Sequence, residues 1–262
     1  MVRSMYSAAT GMEAQQLYMD TISNNLANVN TTGFKRSKME FQDLMYQTLK
    51  EPGVTNSEGI MAPSGIEVGL GVKPAATQRL FDQGSLNQTG NSLDVAIQGD
   101  GFFQINMPDG TIAYTRDGSF KLTSDGTVVN SSGYPLTPQI TIPEGAQQLG
   151  ISADGKVSAV LPGKSTTSDI GQIELARFVN PAGLTGLGQN LYSISDASGQ
   201  PILETPGQNS MGTLSQGYTE ASNVQVVEEM VNMITAQRAY EIVSKAITVS
   251  DEMLQVTNNL KT

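Results

Sequence analysis

The stretch ISNNLANVNTTGFKRS, residues 22–37, carries four asparagines within a pattern that otherwise predicts a helix and its end, namely Asn24, Asn25, Asn28 and Asn30. Asparagine is a poor residue for a helix interior, and a helix surface that faces only water favours charged residues. Amide groups suit a surface dehydrated by other chains, because each offers donors and an acceptor without burying a charge. The stretch therefore predicts an N-terminal helix whose amides lie at an interface between subunits of a polymer.

The end of this helix is predicted at Gly33, which we assign as the left-handed residue just past the helix. Phe34 and Val29 are then the pair whose apolar contact accompanies a Schellman cap. Lys35 and Arg36 follow where cations suit the helix dipole.

Apolar residues recur at helical spacing at both ends of the chain. The N-terminal row, with one polar interruption, is Met5, Ala8, Met12, Gln15, Met19, Ile22, Leu26 and Val29. The first C-terminal row is Ala239, Ile242, Ala246, Val249, Met253, Val256 and Leu260. A second row runs beside it and comprises Ala236, Tyr240, Val243, Ile247, Ser250, Leu254 and Thr257. Ser222 and Gln225 have capping-box spacing, so the C-terminal helix is predicted to begin near Ser222.

The middle of the chain changes to a period of two, with short apolar runs separated by turn dipeptides. These dipeptides are Asp109-Gly110, Asp117-Gly118, Asp125-Gly126, Ser132-Gly133, Asp154-Gly155 and Ser198-Gly199. Such pairs supply the positive φ angles of tight hairpins, so the pattern predicts antiparallel strands.

Together these patterns predict an α+β fold in three parts. Residues 1–46 and 212–262 are expected to form paired terminal helices, a discontinuous coiled-coil domain built from both chain ends. Residues 47–70, interrupted by Gly and Pro, are expected to form an irregular extended linker arm. Residues 71–211 are expected to form a central antiparallel all-β domain.

Composition excludes several functions. The 262 residues contain no cysteine and no histidine, which removes disulfides, imidazole bases and the common zinc ligands. A formal charge of −10 opposes binding to nucleic acid. No apolar run is long enough for a membrane span or a cleavable signal peptide. We predict no catalytic, cofactor-binding or metal-binding residue and no membrane insertion. If the protein is exported, we predict a route that does not use a cleavable signal peptide.

One enzymatic alternative stays open from the residues alone. Acids such as Asp94 and Asp100 would suffice for a carboxylate-based hydrolase, since glycoside hydrolysis requires two carboxyl groups at a suitable separation. The chain has few aromatic residues and no tryptophan on which sugars would stack.

Three segments resemble bacterial flagellar rod and hook axial proteins. They are SNNLANVNTTGFK (23–35), GFFQINMPDGTIAYTRDGSF (101–120) and QGYTEASNVQVVEEMVNMITAQRAYEIVSKAITVSDEML (216–254). Within this family, the chain length, the arm MAPSGIEVGLGV (61–72) and the segment AQRAYE (236–241) resemble distal rod subunits. Proximal rod subunits are the alternative.

The resemblance implies a structural subunit that polymerises into a rigid tubular drive shaft, transmits torque from motor to hook and forms part of the export channel. It implies terminal helices in an inner core and a β domain facing outward. The implied partners are further copies of the chain in a helical homopolymer, the proximal rod protein, the hook protein or hook-rod junction, the surrounding ring proteins and the type III export apparatus. The implied location is the flagellar basal body, spanning the periplasm or cell wall.

Two sets of residues are assigned to this function. The expected polymerisation interface comprises Met5, Met12, Met19, Ile22, Asn24, Asn25, Leu26, Asn28, Val29, Gly33, Phe34, Ile242, Ala246, Val249, Met253, Val256 and Leu260. The arm expected to stiffen the tube includes Glu51, Pro52, Gly53, Pro63, Ser64 and Gly65.

Overall fold

The computed structural model describes residues 2–52, 64–146, 148–161 and 167–259. The chain has an α+β fold, with one long helix near each end and a mostly β region between them. It divides into two compact units. The terminal unit comprises the described residues of Met1–Leu26, Ser37–Gln78 and Gln225–Thr262, and the central unit comprises those of Ala27–Arg36 and Arg79–Val224.

The terminal unit contains the two helices, α1 (Val2–Ala27) and α2 (Val226–Asn259). They touch in the middle of α1, because a Cβ placed on Gly11 would lie 3.7 Å from a methyl group of Val243. Later in α1, Tyr18 lies close enough to Glu228 and Glu229 at the start of α2 for their charges to raise its pKa, although burial is the larger cause. The two helices therefore run antiparallel.

The terminal unit also contains four strands, β1 (Ser37–Asp43), β2 (Tyr46–Lys50), β3 (Ile66–Gly69) and β4 (Val72–Arg79). β1 pairs with β4, and β2 pairs antiparallel with β3. The sequence placed residues 37–46 in the helical ends and 47–70 in an irregular arm, whereas the structure forms strands in both stretches. Most of their side chains are exposed, and an isolated two-stranded ribbon is marginally stable in water.

The central unit contains sixteen short strands and a 3₁₀ turn at Pro181–Gly183. The strands are β5 (Leu86–Gln88), β6 (Val95–Gln98), β7 (Phe102–Asn106), β8 (Ile112–Thr115), β9 (Lys121–Leu122), β10 (Val128–Val129), β11 (Leu136–Thr137), β12 (Gln148–Ile151), β13 (Lys156–Val160), β14 (Thr167–Gln172), β15 (Leu175–Arg177), β16 (Thr185–Gly188), β17 (Leu191–Ser193), β18 (Ile202–Glu204), β19 (Thr213–Gln216) and β20 (Tyr218–Glu220).

The main sheet of the central unit has seven strands in the order β16-β17-β8-β7-β15-β18, with β11 also paired to β7. Its pairs are antiparallel, and Gln104 of β7 stands opposite Tyr114 of β8. Alternate residues of β7 supply two hydrophobic clusters, because side chains alternate along a strand. Phe103 and Ile105 belong to the larger cluster, and Phe102 belongs to the smaller one.

The turn dipeptides place their glycines as predicted, with one exception. Positive φ angles occur at Gly110, Gly126, Gly133, Gly155 and Gly199. Gly118 has no such φ angle, and it is required for another reason, since a Cβ there would collide with the carbonyl oxygen of Val95. The Asp117-Gly118 pair thus permits close packing of two backbone segments.

The C-terminal helix begins at Val226, four residues after the predicted start near Ser222. The side chain of Asn223 holds this segment in the central unit. Its amide donates to the carbonyl oxygen of Leu80 at 2.8 Å and accepts from the N–H of Arg36 at 2.8 Å. These bonds keep residues 222–224 out of the helix, and the Ser222 hydroxyl instead accepts from Val224 N–H at 3.3 Å.

Candidate functional site

A buried ionic cluster in the central unit joins three distant parts of the sequence. Its members are Lys35 in TTGFK, Arg116 in YTRDG and Glu220 in GYTE. The side chains of Lys35 and Glu220 have 0% exposure, and that of Arg116 has 3%. Each of the three segments that resemble flagellar axial proteins therefore contributes one charged residue to a common point.

Glu220 is the anion at the centre of this cluster. Its Oε1 accepts from Lys35 Nζ at 2.6 Å and from the N–H of Gly84 at 3.0 Å. Its Oε2 lies 3.6 Å from Arg116 Nη1. Its backbone carbonyl accepts from the N–H of Gly33 at 2.8 Å. A single residue thus ties the segment after α1 to the centre of the β region.

The two cations have further partners. Lys35 Nζ donates to the carbonyl oxygen of Asp82 at 2.7 Å, and Arg116 Nη1 donates to that of Gly99 at 2.8 Å. Burial lowers the pKa of Lys35, an effect that the nearby Glu220 opposes. Burial also lowers the pKa of Arg116. Because its ammonium group is fully buried and held by two acceptors, Lys35 fits a structural tie better than a nucleophile.

The Schellman cap predicted at Gly33 is wrong. Gly33 does have a left-handed φ of 69°, but α1 ends earlier, at Ala27, and the Gly33 N–H is bonded to Glu220. A Cβ on Gly33 would lie 2.6 Å from the backbone nitrogen of Asp117. Glycine is required here by tertiary packing as well as by backbone conformation.

Two of the four asparagines have roles within their own chain. Asn25 is 2% exposed, and its amide makes two bonds to Ser37, donating to the carbonyl oxygen at 2.8 Å and accepting from the N–H at 2.9 Å. Asn28 stabilises the turn after α1, where its side-chain oxygen accepts from the Thr31 hydroxyl at 3.2 Å. The sequence placed the Asn25 amide at a surface between subunits. In the structure its hydrogen bonds are made to Ser37, the first residue of β1.

The other residues predicted for the interface near the N-terminus differ in burial. Ile22 and Gly33 are buried, and Asn24 is exposed. The remainder are partly buried, namely Met5, Met12, Met19, Leu26, Val29 and Phe34. Val29 and Phe34 lie beyond the end of α1, so the predicted row is not one continuous helical face.

The C-terminal helix leaves a broad apolar surface exposed within its unit. Of its two predicted rows, the second is the more buried and contains Ala236 and Ser250, both buried. We define the exposed row of α2 as Val227, Val231, Ile242, Ala246, Val249, Met253 and Val256, all of which are exposed. Ile242 is 69% exposed and Val227 is 76% exposed. Leu260, the last residue of the first predicted row, lies outside the described residues.

The arm residues are only partly described. Gly53 and Pro63 lie outside the described residues, whereas Glu51, Pro52 and Ser64 are exposed. Gly65 lies where the two strands of the ribbon meet, since a Cβ there would lie 2.5 Å from the carbonyl oxygen of Lys50. The ribbon formed by β2 and β3 exposes large apolar side chains, and so does the residue just before β2, Met45, at 82% exposure.

The carboxylates of the enzymatic alternative are placed as follows. Asp94 is buried, and it accepts from the Thr89 hydroxyl at 2.6 Å and from the Asn91 amide at 3.1 Å, so it stabilises its own turn. Asp100 is exposed. Among the described residues, no group of three or more Asp or Glu side chains is placed to hold a metal ion. Within the same residues, neither helix is both long and apolar enough to cross a membrane.

Sequence reasoning missed the Lys35–Arg116–Glu220 cluster. Lys35 was assigned to the helix dipole, and the other two were given no role. One signal was present, since all three lie in the segments that carry the family resemblance. Nothing in their spacing showed that they meet, because Lys35 and Glu220 are 185 residues apart.

Comparison with protein families gives three matches in different parts of the chain. The family described as "Flagella basal body rod protein" matches residues 5–35. "Flagellar hook protein FlgE/F/G D1 domain" matches residues 96–159. "Flagellar basal body rod FlgEFG protein C-terminal" matches residues 215–260.

Individual relatives match over the whole length. The flagellar basal-body rod protein FlgG of Buchnera aphidicola subsp. Schizaphis graminum is 52% identical over 260 residues, which cover 99% of this chain and 100% of the relative. The FlgG protein of Borreliella burgdorferi is 52% identical over 263 residues, which cover 100% of this chain and 99% of the relative. That of Bacillus subtilis is 41% identical over 266 residues, covering 100% of both. With identity at this level from end to end, the chain belongs to the family of flagellar basal-body rod proteins FlgG.

Proposed function

We propose that this chain is a structural subunit of the flagellar distal rod, which polymerises into a rigid tubular drive shaft between motor and hook. The observation that carries the proposal is the full-length match to basal-body rod proteins, which includes both helices and the central unit. The family is one of structural rod proteins, so a carboxylate-based hydrolase has no place in the proposal.

The terminal helices are the proposed inner core of the tube, where they form a coiled coil among neighbouring subunits. The exposed row of α2 supports this role, because exposed apolar surface of this extent is typical of interaction sites. From Ile242 to Val256 its spacing of three and four residues suits helix-to-helix packing. On α1, the partly buried Met5, Met12, Met19 and Leu26, with the exposed Asn24, complete the proposed interface.

The arm is the proposed stiffening element. Its two strands, β2 and β3, expose Tyr46, Leu49 and Ile66 and have no third strand beside them among the described residues. A ribbon of this kind gains stability when a neighbouring subunit covers it. Added contacts between subunits suppress domain motion, which is the default where interfaces are small. The arm, including Glu51, Pro52, Gly53, Pro63, Ser64 and Gly65, would thereby limit bending of the tube.

The proposed location is the basal body of the flagellum, where the rod spans the periplasm or cell wall. The proposed partners are other copies of this chain, the proximal rod protein, the hook protein or hook-rod junction, the surrounding rings and the type III export apparatus. The tube would also form part of the export channel. A proximal rod subunit of the same family is the second candidate, although the full-length relatives named above favour the first.

Electron microscopy of the concentrated full-length protein tests this proposal. We expect straight tubes from the wild type. The double variant Ile242→Asp, Val249→Asp should form none, because it buries two charges in the proposed core. Gln237→Asp, an exposed position of α2 outside the exposed row, is the matched control and should still form tubes. Failure of the wild type to form any tube would contradict the proposal, as would tubes from the double variant.

A further inference from the structure

A pocket of about 360 Å³ in the central unit has no role in the function proposed above. Its walls are largely aromatic and apolar, and Val179, 83% exposed, lies at the rim. Phe102 packs edge-to-face against Phe81, with ring centres 5.3 Å apart, and against Phe178, with ring centres 5.6 Å apart. These contacts fix the walls. The volume is at the small end of ligand pockets, which suits one or two side chains of a peptide.

Two arginines line the same pocket and retain unused donors. The Nε atoms of Arg116 and Arg177 are buried and have no hydrogen-bond partner in the described part of the chain. Arg116 as a whole is 97% buried, and its guanidinium lies over the ring of Phe102, 5.1 Å from the ring centre. Buried donors without acceptors are costly, so an acceptor supplied from outside would stabilise them.

The charge around the pocket favours an anionic acceptor. Arg116 shares the carboxylate of Glu220 with Lys35, which makes the shorter contact, so two buried cations are served by one buried anion. Asp100 also lines the pocket and its charge acts on Arg116, but its side chain is exposed to solvent. A carboxylate accepts two parallel bonds from a guanidinium group and is the natural partner for these donors.

We propose that this pocket binds a carboxylate beside an apolar side chain, supplied by an acidic segment of a second copy of this chain. This choice of partner rests on the proposed function, since a homopolymer surrounds each subunit with copies of itself. The chain carries 25 acidic and 15 basic residues, so each neighbour offers an excess of carboxylates to the two arginines. The pocket would act as a contact between subunits separate from the terminal helices.

The ligand class is tested on the unpolymerised full-length protein with a small probe. N-acetyl-L-phenylalanine supplies the carboxylate and the apolar group, and its primary amide is the neutral control. We expect the acid to shift the arginine Nε–Hε NMR signals of Arg116 and Arg177 saturably, and the amide to bind about tenfold or more weakly. Arg177→Gln should abolish the shift of the remaining Arg116 signal, and Arg238→Gln, on α2, should not.

The partner is tested by tube formation. Arg177→Gln and Val179→Glu should each raise the protein concentration required for tubes about tenfold or more, with near-UV circular dichroism like that of the wild type. Lys121→Gln, an exposed position of β9 in the same unit and outside the pocket lining, serves as the control. If the acid and the amide bind equally or neither binds, the ligand class is wrong. If Arg177→Gln loses the probe yet forms tubes at the wild-type concentration, a second copy is not the occupant. Absence of tubes from the wild type would overturn the proposed function instead, and the probe titration would still decide the ligand class.

Discussion

The central and terminal units differ in where they place their apolar side chains. In the central unit, Val95, Ile97 and Phe103 are fully buried in one cluster. In the terminal unit, the exposed row of α2 and the ribbon residues around Met45 leave apolar side chains in contact with water. A unit that buries its own apolar surface is stable alone, whereas one that does not needs partners. The contrast separates the part of the chain that we expect to fold by itself from the part proposed to assemble.

The two units also differ in how they satisfy buried polar groups. The central unit buries three charges, whose segments span nearly the whole chain. The terminal unit also buries one carboxylate, that of Glu229, and it uses the neutral amide of Asn25 to satisfy a short loop. A buried ionic cluster is costly to break because the remaining charges lose their partner, whereas a lost amide leaves only neutral groups unsatisfied. Mutations should therefore have graded effects in the two units.

The largest effect is expected from Glu220→Gln. The substitution keeps the shape of the side chain but leaves Lys35 and Arg116 buried without their anion. We expect a loss of about 3–5 kcal/mol in the free energy of unfolding of the central unit. Urea unfolding followed by near-UV circular dichroism measures it. Glu144→Gln, an exposed glutamate of the same unit, should change stability by at most about 0.5 kcal/mol. Equal losses in the two variants would show that the cluster contributes little.

The next largest loss is expected from Ile97→Ala on β6. Ile97 is fully buried in the larger hydrophobic cluster, so its truncation leaves a cavity. We expect a cost of about 2–5 kcal/mol, depending on how far neighbours relax. The same urea experiment measures it, with Ile112→Ala on β8, 41% exposed, as the control. A cost below that of the control would mean that burial of apolar side chains in the larger cluster does not stabilise the central unit.

A smaller effect is expected from Asn25→Ala in the terminal unit. The variant leaves the N–H and the carbonyl oxygen of Ser37 without their partner, at a cost of about 1–3 kcal/mol. Hydrogen exchange at the Ser37 amide should accelerate, while exchange in β7 stays unchanged. Asn30→Ala, an exposed position, is the control. Unchanged exchange at Ser37 would contradict the role assigned to Asn25.

The smallest effect on the monomer is expected from Ile242→Ala. This is the same change as Ile97→Ala, made on the exposed row of α2. Stability of the monomer should change by at most about 0.5 kcal/mol. Tube formation should nevertheless require a higher protein concentration, because each interface loses a buried methylene and two methyl groups. A variant that assembles like the wild type would show that this row faces no neighbour.

Features set by neighbouring residues were predictable from the sequence. The helical rows at both ends, the change to strands in the middle and the positive φ angles at Gly110 and Gly126 all depend on local spacing. The left-handed conformation of Gly33 was predicted for the same reason, although its partner was not. The length of the helices was predicted less well. The start of α2 depends on bonds from Asn223 to Leu80 and Arg36, which are distant in the sequence.

By itself, the sequence determined the α+β composition, the periodicity of each segment and the family resemblance, because each depends on residue types at fixed local spacing. Only the tertiary structure decided which row of α2 packs and which stays exposed, since both rows are apolar. It also decided that Asn25 is satisfied by Ser37 and that Lys35 is neutralised by Glu220, 185 residues away. Such pairings depend on which distant segments the tertiary fold brings into contact. No pattern of neighbouring residues encodes that.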